Sequence, residues 1–158
     1  PYVLGGLRYA RQVGALTGTI SCVKNAEISE AADYPIEAVT GAEAIMGSTR
    51  MKAGTAQKLI LNMISTSVMI KLGKVYKNYM VDVKPTNKKL VVRSKNMIRT
   101  LTGVDEERAE QLYEASGHNV KKALVMEIMN VDKETAEGAL SKGDGHIKCA
   151  IQYLGGDV

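Results

Sequence analysis

Apolar positions recur at helical spacing from the first residues of the chain. Val3, Leu4, Leu7 and Ala10, with Arg11, share one face over residues 2–13, and Gly14 follows as a C-terminal stop. The period then shortens: ALTGTISCV, residues 15–23, is a β-rich run carrying Leu16, Ile20 and Val23. The polar loop KNAEISEAAD follows, and residues 34–39 read as a second strand. Residues 47–72, GSTRMKAGTAQKLILNMISTSVMIKL, predict a long helix. Leu59, Ile60, Met63, Ile64 and Ile70 form one stripe of it, while Leu61, Val68 and Leu72 lie on a different face. Such a helix is apolar nearly all round and is expected to be buried, covered on most sides. Its polar strip of Asn62, Ser65 and Thr66, beside Met69, could face a ligand or a partner subunit, although small polar residues in buried helices usually bond backbone.

Helix, strand, connection, strand and long helix make half of an α/β sandwich with parallel strands. Two strands cannot cover an apolar helix of that length, because parallel sheets are built from more strands and buried on both faces. The remaining strands are therefore expected from sequence upstream or from another chain. The polypeptide starts with Pro1 rather than Met and is expected to be a piece of a longer protein or to assemble obligately with copies of itself.

Past residue 73 the pattern changes. Residues 74–99 are basic, with Lys74, Lys77, Lys84, Lys88, Lys89, Arg93, Lys95 and Arg99 against Asp82 alone. Leu90, Val91, Ile98 and Leu101 supply a helical stripe behind a Pro85-Thr86-Asn87 start, so the cations fit the solvated face of an amphipathic connector better than a nucleic-acid surface. The tail contains an internal repeat: GVDEERAEQLYEASGHNVKKAL, residues 103–124, recurs as NVDKETAEGALSKGDGHIKCAI, residues 130–151. The offset is constant, pairing Val104 with Val131, Asp105 with Asp132, Ala109 with Ala136, Val120 with Ile147 and Ala123 with Ala150. Each unit reads as a helix capped by Asp105 or Asp132, a glycine-containing turn and a second short helix.

Composition narrows the class. The chain has 158 residues, 45% hydrophobic and 24% charged, which suits one domain, or one domain with a small appendage. A net charge of +4 permits an acidic ligand without requiring nucleic acid. Cys22 and Cys149 lie far apart with no CxxC or CxxH spacing, so neither a zinc site nor a disulfide framework is indicated and a reduced, cytoplasmic setting is expected. No apolar run reaches the ~20 residues of a membrane span. His118 and His146 fall in the turns of the repeat without further ligands at suitable spacing, and Glu106, Glu107, Glu110 and Glu114 mark a solvated helix face.

The chemistry concentrates at the front of the long helix. Backbone N–H groups of a first helical turn lack partners and carry partial positive charge, so anions bind there. Ser48 and Thr49 could add hydroxyl donors, Arg50 a planar fork for phosphate or carboxylate, and Lys52 a point charge. The simpler alternative is that Ser48 or Thr49 caps the helix while Arg50 and Lys52 are solvated.

The run GAEAIMGSTRMKAGTAQKLILNMISTSVMIKLGKVY, continued by NYMVDVKPTN, closely resembles the signature of the bacterial N-acetylmuramic acid 6-phosphate etherases, which are related to the glucokinase regulatory protein. The resemblance covers essentially the whole chain, and its GSTRMKAGTAQK core is highly specific. It implies the C-terminal half of a sugar isomerase (SIS) domain, a doubly wound parallel α/β sandwich, over residues 1–75. A basic helical connector over 76–101 and a small all-α module similar to ubiquitin-associated domains over 102–158 would follow. It further implies a cytoplasmic, homodimeric, cofactor-independent lyase of cell-wall recycling, with no metal, nucleic-acid or membrane partner. That lyase cleaves the lactyl ether of its phosphosugar to give N-acetylglucosamine 6-phosphate and D-lactate, by syn elimination with acid–base carboxylates followed by water addition. The phosphate loops and both catalytic glutamates of the family lie upstream of Pro1, and no residue here matches them, so this chain alone is expected to be inactive. The loop over residues 40–55 remains, with Glu43, Ser48, Thr49, Arg50 and Lys52 as candidates to line the sugar site. The related regulatory protein suggests an alternative, a non-catalytic phosphosugar-binding module.

Overall fold

The computed structural model describes residues 1–157 and divides into two compact units, Pro1–Ser65 and Thr66–Val158. The first unit opens with α1 (Tyr2–Gln12) and continues through β1 (Gly18–Ser21), α2 (Glu27–Glu30) and β2 (Tyr34–Glu37) into α3 (Ala53–Lys71). The strands pair in parallel with Gly18 opposite Tyr34 and Ser21 opposite Glu37. The predicted strand pair is thus present, each strand shorter than its apolar run. Part of the expected loop folds into the single turn of α2.

The inward face of the first strand is hydroxylic. Thr17, Thr19 and Ser21 are buried, whereas Leu16 and Val23 are exposed. Asp33 explains part of this choice: its carboxylate accepts hydrogen bonds from the Thr17 amide at 2.9 Å, the Thr17 hydroxyl at 2.8 Å and Arg11 at 2.9 Å, joining α1 and the two strand entrances. The Thr17 hydroxyl and amide, and then the Arg11 charge, hold the Asp33 carboxyl below its ordinary range.

The long helix departs from expectation. The sequence predicts a buried helix, yet within the described residues no side chain of α3 is buried, and Leu59, Leu61, Met63, Ile64, Val68 and Ile70 all stand open. The physical reason is supply. Leu7 is the one buried hydrophobic residue described in the first unit, so a pair of four-residue strands has no apolar face large enough to cover the helix.

The second unit has a complete core. A hairpin of β3 (Val75–Tyr76) and β4 (Tyr79–Met80) leads into α4 (Lys88–Thr102), α5 (Glu106–Ala115), α6 (Val120–Met129), α7 (Lys133–Lys142) and α8 (Ile147–Tyr153). Tyr76 and Val81 join Met97 and Ile98 of α4 and the inward residues of the four repeat helices in one cluster. The repeat carries into packing: Ala109 and Ala136, Val120 and Ile147, Ala123 and Ala150, and Leu124 and Ile151 are buried in matched places. Caps match too, since Asp105 accepts from the Arg108 amide at 2.8 Å and Asp132 from the Thr135 amide at 2.7 Å. Both inter-helix turns pass through two successive left-handed residues, Gly117–His118 and Asp144–Gly145, so the glycine sits first in one copy and second in the other. The basic segment holds a packed helix: α4 buries Ser94, Met97 and Ile98, is capped by Asn87, and pairs Lys95 with Glu110 at 2.6 Å.

The C-terminal end of α3 is fixed within this unit. Lys121 donates to the carbonyls of Gly73 at 3.3 Å and Gly145 at 2.8 Å, and His146 Nε2 donates to the Lys71 carbonyl at 3.0 Å. A carbonyl only accepts, so that nitrogen carries the proton. Gly73, at φ 64°, lies so close to Gly145 that an added Cβ would sit 2.7 Å from the Gly145 oxygen.

Two glycines should therefore respond with opposite signs. Gly73→Ala is expected to destabilise the second unit by about 2–4 kcal/mol through strain and backbone collision. Gly138→Ala, in α7 with open space around the new methyl group, should stabilise it by about 0.5–1 kcal/mol. Urea unfolding of the two variants checks both. In the first unit, the lowered Asp33 carboxyl contributes stability that is fully present above its unfolded value and is lost as pH falls through the folded value, from about pH 4 downward. Asp33→Asn should remove that part of the acid sensitivity, read as the pH dependence of amide exchange at Thr17 and Tyr34.

Candidate functional site

The segment before α3 forms an irregular loop, and α3 begins at Ala53. Ser48 and Thr49 therefore lie too early to cap the helix with their side chains. The Thr49 carbonyl nonetheless accepts from the Gly54 amide at 2.8 Å, and the Lys52 carbonyl from Ala56 at 2.9 Å, so the loop leads into the helix through backbone bonds.

The N-terminal end of α3 already holds an anion, one supplied by the chain itself. Glu43 reaches across with both oxygens: Oε2 accepts from the Lys52 amide at 3.1 Å and Oε1 from the Ala53 amide at 3.0 Å. A carboxylate is the group that the helix dipole and unpartnered amides favour, so Glu43 does the work foreseen for a bound phosphate or for a Ser48 or Thr49 cap. Lys52 closes the loop from the other side by donating its ammonium to the Ala42 carbonyl at 2.6 Å. Glu37 clasps the start of α2 in the same way, accepting from the Asn25 and Ala26 amides at 3.1 Å each. The nearby Ser29 hydroxyl and the bonds from the Ala26 and Asn25 amides hold the Glu37 carboxyl below its ordinary range.

The five candidates thus separate into two groups. Glu43 and Lys52 meet in the clasp that shapes the loop. Ser48 is half-buried, Thr49 and Arg50 are exposed, and among the described residues none of these three side chains makes a hydrogen bond or ion pair. What the clasp leaves available is a short stretch with a hydroxyl pair and one guanidinium, the donor set that suits phosphate or carboxylate oxygens. Gly47, at φ 83°, sets the turn from which this stretch projects.

Two further groups are placed away from chemistry. His118 bonds Glu114 at 2.8 Å and stacks on Tyr113 with ring centroids 4.9 Å apart, while His146 fastens the α3 terminus. Cys22 and Cys149 are free thiols, and among the described residues no three His, Cys, Asp or Glu converge as a metal site would need. No helix of the described residues is long and apolar enough to cross a membrane.

Comparison with known proteins adds a family to this geometry. The family model for the C-terminal lid domain of glucokinase regulatory protein matches residues 77–153. An N-acetylmuramic acid 6-phosphate etherase of Clostridium botulinum (strain Eklund 17B / Type B) is 59% identical over 154 residues, covering 98% of this chain and 51% of the relative. Etherases so named from Exiguobacterium sp. (strain ATCC BAA-1283 / AT1b) and from Francisella tularensis subsp. holarctica (strain LVS) are each 56% identical, covering 96% and 94% of this chain and 51% and 50% of their own lengths. The chain spans about half the length of the curated relatives it matches.

Removing the clasp should loosen the loop and leave the helix. Glu43→Ala is expected to cost about 0.5–2 kcal/mol locally, as other helix-cap losses do. Amide exchange at Lys52 and Ala53 should accelerate while amides of α5–α8 keep their protection. Unchanged exchange at Lys52 would show that the carboxylate contributes nothing there.

Proposed function

We propose that this chain, which belongs to the N-acetylmuramic acid 6-phosphate etherase family, is the C-terminal part of a lyase. That lyase releases D-lactate from its phosphosugar and leaves N-acetylglucosamine 6-phosphate. The observation that carries the reading is the identity of 53–59% sustained along nearly the whole chain with proteins of that one name. The lyase class, a phosphosugar substrate, a cytoplasmic setting and a homodimer all belong to this proposal.

In the same reading, residues 1–75 are the C-terminal half of a sugar isomerase domain, 76–101 its connector and 102–158 a module like ubiquitin-associated domains. The parallel pairing of β1 and β2 and the helical repeat of α5–α8 support that division. The uncovered flank of α3 from Leu59 to Val68 supports the further step that strands and helices from outside this chain pack against that stretch. Proton transfer next to the sugar aldehyde and at the leaving oxygen then falls to carboxylates outside the chain. Glu43 is bound to two amides of the helix start, and its contribution is to hold the loop. Ser48, Thr49 and Arg50 would offer donors to the substrate's phosphate or carboxylate, and Lys52 would keep the loop shut. A second reading, a phosphosugar-binding regulatory module without catalysis, draws on the match of residues 77–153 to the lid domain of a regulatory protein.

The two readings part in an assay for D-lactate release from N-acetylmuramic acid 6-phosphate, run on this polypeptide and on the longer protein. Release by the longer protein alone is expected; release by neither, with phosphosugar binding retained, would favour the regulatory module. In the longer protein Arg50→Ala should raise KM about tenfold or more, the weight of a charge-assisted bond, with the fold intact. Met63→Asp offers a separate check on the α3 flank. It should leave this chain's stability nearly unchanged, since Met63 is 59% exposed, and should disrupt the longer protein by burying an unpaired charge.

A further inference from the structure

Beyond the loop of residues 40–55, the second unit contains a groove of about 430 Å³ that the etherase reading does not use. Its walls come from the last turn of α3, strand β3 with its turn, and the start of α8. Ile70, Val75, Tyr76 and Ile147 give it an apolar floor. Lys71, Lys77 and Lys148, one from each wall, stand exposed around the rim beside His146. Among the described residues six ion pairs form, and none of these three lysines enters one.

The walls are held before any ligand arrives. Lys121 and His146 fasten the Gly73 and Lys71 carbonyls, and the contact of Gly73 with Gly145 admits no side chain between them. Three like charges facing one concave surface repel each other, and an anion seated among them relieves that repulsion. The volume lies in the range of small-molecule sites, and a mostly apolar floor with a few charged groups at its edge is the usual make-up of such sites.

We propose that this groove binds a small anionic amphiphile, an aromatic or aliphatic body carrying a phosphate or carboxylate. The body rests on the apolar floor and the anion sits among Lys71, Lys77 and Lys148. Lys77 already lies 5.7 Å from the Tyr76 ring centroid, so a ligand anion can reach an ammonium while its body meets the same aromatic residue.

The test is a titration of the chain with 1-naphthyl phosphate, followed by amide chemical shifts, beside 1-naphthol and inorganic phosphate. The expected result is shifts centred on Val75–Lys77 and Ile147–Lys148, with each comparison compound binding at least about tenfold more weakly. The double variant K77E/K148E, whose substitutions are exposed and leave the core untouched, should lose about tenfold or more in affinity with its remaining spectrum unchanged. Shifts centred elsewhere, equal binding of 1-naphthol, or undiminished affinity in the double variant would overturn the proposal.

Discussion

Helix α3 has both ends satisfied within the chain and its long apolar flank bare, and much of the architecture follows from that imbalance. Glu43 takes two amides at the front, and at the back His146 takes the Lys71 carbonyl while the Gly73 and Lys74 amides take those of Ile70 and Met69, so the costly requirement to pair backbone groups is met at each end. The sides are another matter. Burying one Leu, Ile or Met fully is worth about 1.5–3 kcal/mol, and the exposed residues of α3 forgo it. The second unit closes its own core because hairpin, α4 and the four repeat helices supply apolar faces to each other. The first unit, with Leu7 and three hydroxyl side chains inside, relies on polar links such as the Asp33 clasp.

Local information was legible and distant information was not. The helical repeat, its Asp105 and Asp132 caps and its turns could be read directly, because each depends on residues a few positions apart. The exposure of α3 is foreseeable in one respect: two strands are too few to cover it, although its composition by itself calls for burial. It starts several residues beyond the position patterning gives because Ser48 and Thr49 look like caps, whereas the actual cap is Glu43, which no spacing rule connects to Ala53. The burial of the Thr17 hydroxyl just ahead of β1 runs against hydrophobic patterning because Asp33 bonds it, and that partner is sixteen positions away. The roles of Lys121 and His146 were equally hidden, since their acceptors lie near residue 72.

The candidate loop shows how one motif divides its labour. A specific run, GSTRMKAGTAQK, reads as a set of equivalent donors, yet the folded chain uses Lys52 and the helix amides for architecture. Ser48, Thr49 and Arg50 are left on a turn that Gly47 sets. An anion-binding function carried by that turn draws on side chains more than on the helix dipole, because the dipole is already answered by Glu43. Ionic strength would weigh on such a site more than on a buried helix end, since exposed charges are screened within about 8–10 Å.

The duplicated helix pairs also bear on the order of events as the chain collapses. Nearly every pairing among α4 to α8 joins helices adjacent or next but one in sequence, a low-contact-order arrangement that closes quickly. The segment can reach its native packing from contacts within its own residues. The helix pairs would then act in cis as an early anchor for the last turn of α3, which Lys121 and His146 hold.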